Sequence, residues 1–143
     1  MGKQRLEGDF RDVVKDRPEL WYIKLQVFPG AFTRNPGDFF VFSESYRYLV
    51  ECKQCSGNAF TFSRFTQKPA MLEYFNKLHN NRAHILISFW KGRKTKSKYY
   101  FIPVEVMETF MKKIPKKSAN MKDFAEHLGL YDVKLEDLYK KFW

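Results

Sequence analysis

Apolar positions change their period several times along the chain, and each change marks a new element. Leu6, Phe10, Val13 and Val14 recur at helical spacing over residues 3–15. Arg17-Pro18 ends that helix, because the residue before a proline avoids the helical region. Residues 20–28, LWYIKLQVF, form a β-rich run broken by Pro29-Gly30. Asn35-Pro36-Gly37 signals another turn. Residues 38–43 and 46–54 then read as two strands joined tightly through Glu44-Ser45, a hairpin. Residues 56–66 are aromatic and irregular. Lys68-Pro69 opens a second helix, where proline's missing N–H costs nothing in the first turn. Residues 83–90, AHILISFW, are nearly all apolar, as in a strand covered on both faces. A fifth strand follows over 98–104, and helices are expected over about 104–112, 119–128 and 134–142, with Gly129 capping the middle one.

The resulting order, α-β-β-β-α-β-β and then helices, predicts an α/β fold with a mixed sheet flanked by helices. The third and fourth strands, joined through a helix, should lie parallel. A chain of 143 residues suits a single domain, 1–143, with a core of about 3–103 and a helical C-terminal extension of about 104–143.

Charge narrows the class of partner. The net charge of +10 points to a polyanion. No amphipathic basic helix suggests a membrane surface, and no apolar run is long enough to span a bilayer. Cys52 and Cys55 are too close to staple a fold, and His79, His84 and His127 are too scattered to complete a zinc site. Free thiols, with no apolar leader at the N-terminus, point to the cytoplasm.

The chemistry concentrates on the hairpin. Asp38 begins the second strand, and Glu51 and Lys53 lie two apart on the third, so both face one side of the sheet. If the hairpin brings Asp38 beside Glu51, two carboxylates converge. Two such groups, with water and phosphate oxygens, are how Mg²⁺ is usually held. The competing reading is a surface Glu51–Lys53 ion pair, with Asp38 capping a turn.

Gly37-Asp38, a gap, and Glu51-Cys52-Lys53 resemble the signature of the PD-(D/E)xK nucleases, and the element order is similar to that superfamily's restriction-endonuclease-like core. The resemblance implies that Asp38 and Glu51 bind metal and that Lys53 is the catalytic lysine. It also implies a further acid on the first helix, for which Glu7 is the best-placed match and Asp9 and Asp12 are rivals. Within the superfamily, residues from about 6 to 103 are most similar to RecU-type Holliday-junction resolvases. The shared features include Asp38-Phe39, the E-x-K, Phe62 and Phe65, and the strand HILISF. Two departures stand out. The stretch Pro29 to Gly37 is too short for the projecting stalk of those proteins. Their helical glutamine is also displaced, leaving Gln67 as a possible accessory residue.

The resemblance thus implies a Mg²⁺-dependent endodeoxyribonuclease, with Mn²⁺ as substitute, acting as a homodimer on DNA, including branched DNA, in recombination or repair. A restriction-type or end-processing nuclease and a non-catalytic basic DNA-binding module are the alternatives. Candidate DNA contacts are Arg64 and Lys68 beside the motif, and Lys91, Arg93, Lys94, Lys96 and Lys98 in a basic turn. Phe60, Phe62 and Phe65 read as core rather than base-stacking residues.

Overall fold

Six strands form the central sheet, and one register in it decides where the chemistry sits. The computed structural model describes residues 3–25, 36–90 and 97–142. Lys91, Arg93, Lys94 and Lys96, and the end of the first expected strand, lie outside the described residues.

Helix α1 (Lys3–Val14) is followed by β1 (Trp21–Lys24), β2 (Phe39–Phe42) and β3 (Arg47–Cys55). A short strand β4 (Ala59–Thr61) and a 3₁₀ turn over 62–64 lead into α2 (Lys68–Lys77). Next come β5 (Asn81–Phe89), β6 (Lys98–Pro103) and α3 (Val104–Lys113). The chain ends with β7 (Ser118–Asn120), α4 (Met121–Leu128), β8 (Asp132–Val133) and a 3₁₀ helix over 135–142. The sheet order is β1-β2-β3-β5-β6-β8, and β4 pairs with β7 in a separate two-stranded sheet. β3 and β5 are parallel, as expected of strands joined through a helix, and the other pairs are antiparallel.

Alternation along the strands sorts the core onto two faces. On one face Leu49, Ile85, Ile87, Tyr100 and Ile102 pack under α2, α3 and α4 through Met71, Met107, Phe110 and Phe124. On the other, Val50, Leu86 and Phe101 pack under α1 and the terminal 3₁₀ helix through Leu6, Phe10, Leu138 and Phe142. Phe60 and Phe65 are buried, so they are core residues as read from the sequence.

The structure departs from the sequence expectations in the short elements. The aromatic stretch 56–66 contains β4, and the C-terminal part supplies β7 and β8 besides its helices. Strands of two or three residues carry too little alternation to be seen. The last helix is 3₁₀ rather than α, and the three-residue spacing of Leu135 and Leu138 suits the tighter winding. Gly129 caps α4, but with right-handed backbone (φ −58°), because it continues directly into a 3₁₀ turn. At the other end of α4, Asn120 and Asp123 form a reciprocal capping box. Asp123 N–H donates to Asn120 Oδ1 (2.9 Å) and Asn120 N–H to Asp123 Oδ2 (3.0 Å).

Phe124 ties the C-terminal part to the sheet, with its ring 5.0 Å from Phe89, 5.2 Å from Tyr100 and 5.1 Å from Phe110. Phe124→Ala should therefore cost about 3–5 kcal/mol in denaturant unfolding, within a single transition, as for other buried Phe deletions. A loss below about 0.5 kcal/mol, the usual range for surface changes, would show that α4 is only appended to the core.

Candidate active site

The β2–β3 register pairs Phe39 with Val50, and one step further it sets Asp38 opposite Glu51. The backbone pins Asp38 on both sides. Its N–H donates to the Val50 carbonyl (2.8 Å), and its carbonyl accepts from Leu25 N–H (2.8 Å). Its side chain is pinned too, because Oδ2 accepts from the backbone N–H of Cys52 at 2.8 Å. Gly37 permits this close entry. A Cβ there would stand 2.9 Å from Leu49 Cδ1 and 3.1 Å from the Val50 carbonyl oxygen.

Glu51 lies between β2 and β5 in the middle of the sheet and is only 3% exposed. Lys53 follows on the same face, with Nζ 3.0 Å from Glu51 Oε2. The pair is therefore not a surface ion pair, and Asp38 does not simply cap a turn. Burial, with Asp38 beside it, raises Glu51 to about 8, while Lys53 pulls the other way. Burial also raises Asp38, and the Glu7 charge adds to this, while the hydrogen bond from Cys52 N–H opposes it. The Asp38 charge also makes Glu51 harder to ionise, so the two carboxyl groups do not ionise independently.

The donor set explains why. Two carboxylates and one ammonium leave one negative charge uncompensated in a desolvated site, and such a charge is costly unless protonated or met by a cation. The residues thus fit a divalent cation. Among the described residues, no group of three His, Cys, Asp or Glu side chains could hold a metal by itself. A cation here would draw its remaining ligands from water and phosphate, as Mg²⁺ commonly does.

The three acids of α1 separate clearly. Glu7 is held by Lys24 of β1 (2.8 Å) and is the α1 acid whose charge acts on Asp38. Asp9 pairs loosely with Arg5 (3.9 Å), and Asp12 with Lys15 (3.3 Å). The structure therefore brings Glu7 to the site, but as half of an ion pair rather than as a third free carboxylate. Sequence reasoning missed Lys24. Its only available signal was the alternation that sets it on one face of β1 with Tyr22.

The other candidates are placed less simply. Gln67 sits at the N-cap of α2, and its Oε1 is buried without a hydrogen-bond partner. Arg64 turns inward, donating to the Gln54 carbonyl (3.0 Å) and lying 3.7 Å from Cys55 Sγ, so it braces the end of β3. Lys98 is tied to Asp132, its neighbour across the β6–β8 edge. Lys68 lies 3.8 Å from Glu108. Arg64 and Lys98 are thus already engaged within the fold, by acceptors that the chain brings against them.

No protein-family model matches the chain. No curated protein matches it in sequence. In fold it is similar to Hjc, a Holliday junction resolvase from the archaeal hyperthermophile Archaeoglobus fulgidus. The TM-score is 0.63 at 10% sequence identity, over 95% of this chain and 98% of that one. The fold is restriction-endonuclease-like, as the sequence predicts.

The raised pKa of Glu51 has a direct consequence for stability. A carboxyl held at about 8 when folded, against an ordinary 4.5, favours folding below 4.5 and loses that contribution as pH rises through 8. Glu51→Gln should therefore gain stability over the parent across that window, levelling off above it, by on the order of a few kcal/mol. Thermal melts from pH 4 to 9 measure this. A parallel pair of curves would mean that Glu51 titrates normally.

Proposed function

We propose that this chain is a Mg²⁺-dependent endodeoxyribonuclease of the PD-(D/E)xK superfamily that resolves four-way DNA junctions. The observation that carries the reading is buried Glu51 beside half-buried Asp38, with Lys53 Nζ 3.0 Å from Glu51, set on a fold shared with a Holliday junction resolvase. The net charge of +10 supplies the attraction to a polyanion.

Asp38 and Glu51 hold the cation, with Mn²⁺ as substitute. Glu7 adds negative charge near them while Lys24 fixes its carboxylate. When bound, the cation supplies charge at the phosphoryl oxygen and lowers the pKa of water there. Lys53, kept on the same face by strand alternation, stabilises the negative charge that develops at phosphorus. Gln67 offers its unpartnered amide oxygen as an accessory acceptor for a water or substrate N–H. The phosphate backbone is met by Lys68 and by the basic turn of Lys91, Arg93, Lys94 and Lys96. Two identical copies cut the two strands symmetrically. The likeness to Hjc supports the superfamily and junction resolution rather than a RecU-type protein in particular.

Cleavage of labelled duplex, single-strand and four-way DNA, with Mg²⁺ or EDTA, tests the proposal. The four-way substrate should be cut, and only with metal. Lys53→Ala should slow cutting by about 10²–10³-fold, the size of losing one charge-stabilising donor. Asp38→Ala and Glu51→Ala should bind junction DNA and leave it intact. Undiminished cleavage by Asp38→Ala would overturn the active-site assignment. Preference for duplex or ends over the junction would favour a restriction-type or end-processing nuclease. Binding without cleavage by the parent would leave a non-catalytic DNA-binding module.

A further inference from the structure

The parallel pairing of β3 and β5 sets Gln54 beside Ser88, and the antiparallel pairing of β5 and β6 sets Ser88 beside Tyr99. These three residues form one polar row across three adjacent strands, on the α1 face of the sheet. The row stands one residue beyond the row that carries Lys53, Ile87 and Tyr100 on the opposite face. It lines a cavity of about 190 Å³, whose walls include Leu6 and Arg5 of α1 and the ring of Trp90. Trp90 is placed by a backbone bond, its N–H donating to the Cys55 carbonyl at 2.9 Å. Its side chain is nonetheless not packed away, for Trp90 is 38% exposed.

The chemistry of this lining is specific. Trp90 and Tyr99 give aromatic faces, and Leu6 gives an apolar wall. Gln54 and Ser88 give an amide and a hydroxyl, each able both to donate and to accept hydrogen bonds. Arg5 and Asp9, a loose ion pair at 3.9 Å, also line it. Aromatic and apolar walls with mixed hydrogen-bond donors and acceptors suit one planar heteroaromatic ring. The cavity admits a single ring system and not a base pair. Gln54 follows Lys53 directly along β3, so the cavity borders the site across the sheet, on its other face.

We infer that this cavity is a pocket for one unpaired nucleobase of the DNA substrate, stacked against Trp90 and Tyr99 and read by Gln54 and Ser88. The inference rests on the nuclease reading for the source of the base, and it uses none of the catalytic residues. Taking one base out of the stack would hold the strand in register beside the carboxylates.

Binding measured in EDTA keeps this test separate from catalysis. The probes are a duplex with a single bulged adenine and the same duplex with an abasic bulge. The base-bearing duplex should bind about tenfold more tightly, as one base–aromatic stack typically provides. Trp90→Ala and Gln54→Leu should each erase that preference while leaving affinity for the abasic duplex, and Mg²⁺-dependent cleavage of an abasic-bulged substrate, unchanged. Circular dichroism confirms that both variants fold, and Trp90→Phe should restore most of the preference. Equal binding of the two duplexes by the parent, or a preference that survives both substitutions, would overturn the pocket. Saturable binding of adenosine monophosphate in equilibrium dialysis without any preference between the duplexes would overturn DNA as the source of the base. Loss of cleavage in Asp38→Ala bears only on the nuclease reading. The base preference is read without cleavage.

Discussion

The rest of the structure is arranged around two carboxyl groups held beside one another, Glu51 buried and Asp38 half-buried. They face each other across β2 and β3, with the Lys53 ammonium 3.0 Å from Glu51. Burial, with Asp38 beside it, holds Glu51 at about 8 although Lys53 pulls the other way. An apolar residue at position 51 would pack more cheaply there. A fold that keeps this pair anyway is storing an electrostatic deficit that a cation relieves.

Several features keep that deficit from relaxing. Gly37 lets β2 approach β3 closely enough for the Cys52 N–H to grip Asp38 Oδ2. The parallel neighbour β5 shuts Glu51 off on its far side, with Ile85 paired to it in register. Helices cover both faces of the sheet, and Glu51 stays 3% exposed within it. Lys24 meanwhile ties Glu7 down, so the acid of α1 contributes charge from a fixed place. Preorganisation of this kind is what makes fixed charges effective in catalysis, because they need no rearrangement as charge develops.

How much of this was legible in the sequence depended on the length of the pattern. The hairpin of residues 38–54 showed itself through alternation over two full strands, and so placed Glu51 and Lys53 on one face. The parallel relation of β3 and β5 followed from the helix between them. Strands β4, β7 and β8 were hidden because two or three residues carry no period. The ion pairs were hidden for another reason. Glu7 meets Lys24 and Lys98 meets Asp132 only through tertiary structure. The Arg64 guanidinium likewise braces the end of β3 through a contact that only the fold creates. The sequence could suggest that two carboxylates converge. How completely they are desolvated required the sheet.

With Glu51 held at about 8, a proton on it at pH 7 stands where a divalent cation would bind. Calorimetric titration of the DNA-free protein with Mn²⁺ at pH 7, repeated in buffers of different ionisation enthalpy, counts protons released on binding. Release of about one proton per ion is expected, because metal ligands bind deprotonated, declining as pH rises above 8. Mn²⁺ binding with no proton release at pH 7 would contradict it.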